Sequence, residues 1–200
     1  MNRILLIGAL LSSLAAQSED RLRLIQADLL ENITDKDGKA VQYLTGNVKF
    51  QKGAATITCQ SALYMNRDGI GSFTDNVRME KEELTLTADS LRLDSKNDIV
   101  TAQGSVRFSD SEYSLKSRLL TFYTEMDSGI AEGDVEFLQK GQTITAGKII
   151  YKKESNDAAS YRAEGNVTIQ EEERTATCGI SIYNAVLYYF SFFLYIYKFL

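Results

Sequence analysis

Five stretches of nearly the same sequence recur along this chain: "GNVKF" at 46–50, "DNVRM" at 75–79, "GSVRF" at 104–108, "GDVEF" at 133–137 and "GNVTI" at 165–169. Their starts at 46, 75, 104, 133 and 165 are separated by 29, 29, 29 and 32 residues. A fixed period of that length is the mark of one supersecondary unit stacked into an array, each unit burying its apolar face against the next. The 200 residues therefore predict one elongated domain rather than two globular ones.

Within the repeat 75–103, Val77 and Met79 alternate with Asn76 and Arg78, and Leu84, Leu86 and Ala88 alternate with Thr85 and Thr87. Period two means strand, and the charged stretches "EKEE" and "DSKND" between the runs read as turns. The expectation is an all-β protein of about five 29-residue repeats, each holding two antiparallel strands. The second strand carries a phase change: Leu86 and Ala88 stand at even positions, Leu91 and Leu93 at odd ones, on either side of Asp89 and Ser90. The same slip separates Cys59 from Ala62, Ser117 from Leu120 and Ala146 from Ile149. One extra residue at the same place in every second strand predicts a line of bulges that folds the sheet lengthwise over its apolar face. "LIQADLL", with Ile25, Ala27, corner Asp28 and Leu30, reads as a leading half-repeat. The three extra residues before the last GNV fall in "KKESNDAAS", read as a turn.

The inward face follows from parity. First strands contribute Val48, Phe50, Val77, Val106, Phe108, Val135, Phe137 and Val167. Second strands contribute Ile57, Cys59, Leu86, Ala88, Leu91, Leu115, Leu120, Phe122, Ile144 and Ile149. Cys59, Ala88, Ser117, Ala146 and Cys178 share one slot and are all small, which predicts a lengthwise trough. Cys59 and Cys178 lie four repeats apart, roughly 40 Å at about 4.8 Å per strand, whereas a disulfide needs Cα atoms within about 7 Å. Both are expected to be free and buried in one folded chain.

The ends differ from the array. Residues 1–17, "MNRILLIGALLSSLAAQ", combine Arg3, an apolar run and small residues suited to cleavage, the pattern of a secretory signal peptide. The domain proper is expected over 18–184. Residues 185–200, "AVLYYFSFFLYIYKFL", hold eight aromatic residues in sixteen and no turn residue. They read as an aberrant tail, from a frameshift or truncation, or as a membrane anchor.

The cadence G-x-V-x-F, turn, I-x-A-D-x-L-x-Y, turn, best seen in "LTADSLRLD" at 86–94 and "ITAGKIIYK" at 144–152, resembles the OstA-like repeat of the lipopolysaccharide-transport family over about residues 24–184. The resemblance implies a folded antiparallel β-jellyroll, shaped like a taco shell, whose apolar groove takes lipid A acyl chains. It implies a non-catalytic periplasmic protein, possible outer-membrane association, and lipopolysaccharide bound along the inward-facing residues named above. Partners would be related β-jellyroll proteins of the inner- and outer-membrane transport complexes, joined end to end by strand addition, with a homo-oligomer as a further form. A stand-alone bridge protein and the N-terminal periplasmic piece of an outer-membrane assembly protein fit equally. Departures are Gln60, Arg118, Gly147 and Gly179 where the family often has Asp at the corner.

Other classes find less support. The chain has no His, and its acidic residues fall mostly in turns such as "DKDG", "NRDG" and "EMDSG", where Asp and Gly have a structural cause. No nucleophile and base constellation can be named, so no enzyme, no metal and no cofactor is expected. With 22 basic against 27 acidic residues there is no basic stripe for nucleic acid. A structural or adhesive β-solenoid, its interior packed shut, stays open as the alternative.

Overall fold

Alternating Val, Ile, Leu and Phe against Thr, Arg and Glu suits a pleated sheet with one dry face and one wet face. A computed structural model describes residues 22–186, apart from 35, 37, 66–68, 110, 112, 124–125, 127, 140 and 156–157. Its elements are β1 (Arg23–Gln26), β2 (Leu29–Thr34), β3 (Ala40–Lys52), β4 (Ala55–Met65), β5 (Ile70–Lys81), β6 (Leu84–Asp94), β7 (Ile99–Ser109), β8 (Tyr113–Tyr123), β9 (Ser128–Gln139), β10 (Gln142–Ser155), β11 (Ala158–Glu171) and β12 (Arg174–Val186). The leader expected at 1–17 and residues 187–200 of the expected tail lie outside the described residues. Ala185 and Val186, grouped with that tail by composition, belong to β12.

All twelve strands form one antiparallel sheet in chain order, with β1 and β2 laid end to end along β3. The fold is an all-β, folded antiparallel jellyroll, and the five repeats supply β3–β4 through β11–β12. "LIQADLL" is the expected half-repeat: β1 and β2 are one strand broken at Ala27 and Asp28, and the Asp28 amide donates to the Gly46 carbonyl at 2.9 Å. The insertion before the last repeat sits differently from expectation. β10 and β11 run to 14 residues each, and their pairing is irregular between Lys153 and Ser155. The added residues lengthen paired strands, which saves backbone hydrogen bonds that a longer loop would have to find elsewhere.

The corner also differs from the sequence reading. Thr45 pairs with Ser61 and Val48 with Cys59, leaving Gly46 and Asn47 opposite Gln60 alone. The same two-against-one count sets Asp75–Asn76 against Asp89, Gly104–Ser105 against Arg118, Gly133–Asp134 against Gly147, and Gly165–Asn166 against Gly179. The extra residue therefore belongs to the GxVxF strand, and all ten residues of those pairs have φ between 45° and 81°. Two successive left-handed residues turn that strand while keeping Leu44 and Val48 on one face. The phase change on the partner strand is how it follows the turn. Gly, Asn and Asp dominate the pairs because they reach this conformation at least cost.

The corner line divides the sheet into two facing walls. The first wall holds the GxVxF strands after the corner and their partners before it; the second holds the remaining halves. Phe50, in the first wall, meets Phe73 edge-on at 5.4 Å and Tyr64 at 5.6 Å, both in the second. The core lies between the walls, along their whole length.

Candidate functional site

Pairing turns the inner face into rows. Nearest the corner in the first wall, Val48, Val77, Val106, Val135 and Val167 pair with Cys59, Ala88, Ser117, Ala146 and Cys178. The next row pairs Phe50 with Ile57, Met79 with Leu86, Phe108 with Leu115, Phe137 with Ile144, and Ile169 with Ala176. In the second wall, Phe73 pairs with Leu91, Ala102 with Leu120, Ala131 with Ile149, and Ala163 with Ser181. Phe122 stands one place further out, opposite Val100. The structure brings every inward residue read from the sequence onto one surface.

Most of that surface is closed. Of the eighteen residues read as inward, seventeen are buried and Ile144 is half-buried. Phe50, Phe73, Phe108 and Phe122 are at or below 1% exposed. The row of small residues leaves no open trough: Cys59, Ala88, Ser117 and Ala146 are buried. Ser117 Oγ lies in this apolar row with no hydrogen-bond partner among the described residues.

The interior opens at the last four strands. A cavity of about 300 Å³ is lined by Phe137, Ile144, Ile149, Tyr161, Ala163 and Ile169, with Gln139, Gln142, Glu171 and Ser181 at its polar side. Its cause is a change of size along one row. Where the second repeat has Phe73 beside Leu91, the last has Ala163 beside Ser181, so less side-chain volume is there to fill the space. The stacked rings of Phe137 and Tyr161, 6.4 Å apart, bridge the walls at this end. Such a volume is about twice that of an engineered cavity that holds benzene, and stands at the low end of ligand pockets.

Gln139, Gln142 and Glu171 of the polar side lie in the outermost inner row of the first wall. Tyr113 pairs with Gln139, Gln139 with Gln142, Gln142 with Glu171, and Glu171 with Arg174. In earlier repeats the same row carries Ala55, Leu84 and Tyr113, which are buried, and Lys52 and Lys81, which are half-buried. Parity predicted Phe137, Ile144 and Ile149 of this lining. It passed over Gln139, Gln142, Tyr161, Ile169, Glu171 and Ser181, and the signal that finds Gln139, Gln142 and Glu171 is the loss of apolar character in this row after Tyr113.

Cys59 and Cys178 are both free, as the spacing required. Cys178 is exposed rather than buried, which corrects the sequence reading. It lies on β12, which borders the described sheet. Cys59 donates to the Ser61 carbonyl at 3.1 Å, and burial pushes its thiol up to about 11. Burial also raises the Tyr64 phenol above its ordinary value. On the outer face Lys116 meets Glu136 at 2.6 Å, Lys148 meets Glu132 at 3.1 Å and Arg118 meets Asp134 at 3.3 Å. The turn after β6 accounts for one acidic group: Asn97 donates to both oxygens of Asp94 and holds its carboxyl below the ordinary 3.8. Among the described residues no group of three or more potential metal ligands converges.

The folded sheet of this repeat, with its cavity at the last four strands, has counterparts among known proteins. The family model described as OstA-like protein matches residues 19–178. The chain belongs to the OstA-like family. The match takes in β1 to β11 and β12 as far as Cys178, just before its corner. Among solved structures, the chain is similar to LptH, the LptA-homologous periplasmic component of the conserved lipopolysaccharide transport device from Pseudomonas aeruginosa. The two have 14% sequence identity and a TM-score of 0.46, over 82% of this chain and 95% of that one. A search of curated proteins finds no match.

Proposed function

We propose that this OstA-like chain is a non-catalytic periplasmic carrier of lipopolysaccharide that takes lipid A acyl chains between its two walls. The observation that carries this reading is the inward apolar surface opening into the cavity at the last four strands. Burying an acyl chain there gains about 0.8 kcal/mol per methylene, and a sugar head would remain at the polar side. The eighteen inward residues are the proposed lipid-binding set. Those between β3 and β8 contact lipid only when the walls part, since they now touch one another.

Partners follow from the edges. Within the described sheet β1 and β2 border one side and β12 the other, and each presents backbone groups to an added strand. Related jellyroll proteins at the inner and outer membranes, or a second copy of this chain, would extend the walls in register. The chain carries no nucleotide-binding motif, so the energy for directional movement comes from a partner.

One observation favours the second reading, a structural solenoid: the near-complete burial of Phe50, Phe73, Phe108 and Phe122. Photocrosslinking separates the two. A photoreactive amino acid at Phe108, Leu120 or Ile144, with Arg107 as the outward control, is placed in the chain in cells making lipopolysaccharide. Adducts at the inner positions and none at Arg107 are expected. Their absence at all three inner positions in a folded protein refutes the carrier reading.

A further inference from the structure

We infer that acyl chains pass in and out of the groove at a port formed by the last four strands. There Gln139, Gln142, Glu171 and Arg174 form a rim that hydrogen-bonds the hydroxyl and amide groups of a sugar head. The inference rests on the carrier reading and adds to it where the lipid is admitted and which part of its head is read.

Three observations converge on this end. The cavity lies there, between Phe137, Ile144 and Ile169 of the first wall and Ile149 and Ala163 of the second. Elsewhere along the first wall's margin, buried Ala55, Leu84 and Tyr113 close the gap that Gln139 and Gln142 leave open. Lastly, the rim follows one paired row, so its four side chains stand at neighbouring strand positions on the inner face.

The chemistry of the rim selects the ligand class. Two carboxamides offer donors and acceptors together, which match hydroxyl and amide groups. Glu171 and Arg174 oppose each other across β11 and β12 and contribute opposite charges, so the rim has no net positive charge to favour a phosphate. The volume admits one chain at a time, and a lipid with several chains must thread them in succession or part the walls.

The test uses the full chain and two probes sharing a twelve-carbon chain, dodecyl maltoside and dodecanoate, titrated calorimetrically below their micelle thresholds. The maltoside should bind more tightly. Gln139→Ala/Gln142→Ala should weaken the maltoside about five- to tenfold, the loss of one or two net hydrogen bonds, and leave dodecanoate unchanged. Ile144→Trp, which fills the cavity from a half-buried position, should weaken both probes, and Ala163→Leu should do so independently if the tryptophan variant folds poorly. Equal losses for both probes in the rim variant overturn the sugar-reading rim, and binding untouched by either cavity variant overturns the port. Lipopolysaccharide adducts at Phe108 without binding of either probe would refute the port and leave the carrier standing. Probe binding as expected, without any lipopolysaccharide adduct, would support the port as an amphiphile site and refute the carrier.

Discussion

Gly104→Ala and Gly165→Ala make the same chemical change at equivalent corners and should differ sharply in cost. Both glycines are left-handed, with φ of 74° and 78°, so each alanine carries a backbone penalty of about 1–2 kcal/mol. The surroundings differ. A Cβ on Gly104 would lie 2.2 Å from Asp89 Oδ2 and 2.9 Å from Asp89 Cβ, whereas one on Gly165 would find only the backbone of Gly147, 3.7 Å away. Asp89 is exposed, yet its Cβ as well as its carboxylate would have to shift, which adds about 1–3 kcal/mol, so Gly104→Ala should lose about 2–5 kcal/mol and Gly165→Ala about 1–2. Urea unfolding followed by circular dichroism measures both. The decisive step is the Asp89→Gly background, which copies the Gly147–Gly165 corner. There the cost of Gly104→Ala should fall to that of Gly165→Ala, a coupling of about 1–3 kcal/mol in a double-mutant cycle. Equal costs for the two single variants, or no coupling with Asp89, would refute the account of the corner as side chain packed over glycine.

Ser117→Ala should raise stability by roughly 1 kcal/mol, since it removes a buried hydroxyl with no partner from a slot that holds alanine in neighbouring repeats; urea midpoints would register it. Phe50→Ala should cost about 3–5 kcal/mol, as the loss of a ring that joins the two walls, and a shift below 1 kcal/mol would contradict the closed core. Thiol titration at neutral pH should find Cys178 reactive and Cys59 silent until the chain unfolds. The Cys59 thiol is held protonated by burial, its folded value raised from 9.0 to about 11. Its contribution to stability is therefore complete below pH 9 and is lost as pH rises toward 11, and replacing Cys59 with alanine should flatten stability over that window. Lys116→Ala should shift stability by less than about 1 kcal/mol despite the short contact to Glu136, because the pair is exposed.

Period and parity made the strands, the folding of the sheet and the inward residues legible, because burial of one face constrains every second side chain. Residues from Val48 to Val167 fell on the expected surface for that reason. The corner was placed correctly along the chain, yet its extra residue was assigned to the wrong strand. Pairing counts two strands at once, and the phase change visible in one sequence cannot say which of them is longer. The trough inferred from Cys59, Ala88, Ser117 and Ala146 failed on a similar ground: a small side chain leaves space only if its surroundings do not fill it, and parity along one strand does not reveal those surroundings. The cavity needed Ala163 and Ser181 to meet, and those two residues come together only through the pairing of β11 with β12. Cys178 was misjudged because, within the described sheet, β12 pairs on one side only, whereas the strands of its equivalents pair on both.

Every hairpin in β3 to β12 joins strands adjacent in the chain, and the sheet runs in sequence order from end to end. Such a topology keeps sequence separation between paired residues short, which lowers the loop-closure cost of each step. The walls can therefore be assembled by adding one hairpin at a time to a growing edge, starting before the C-terminal strands exist. For a chain that emerges N-terminus first, the strands of the packed middle pair early and β11 and β12 last. The segment left waiting longest for a partner is the one that holds the cavity in the finished molecule.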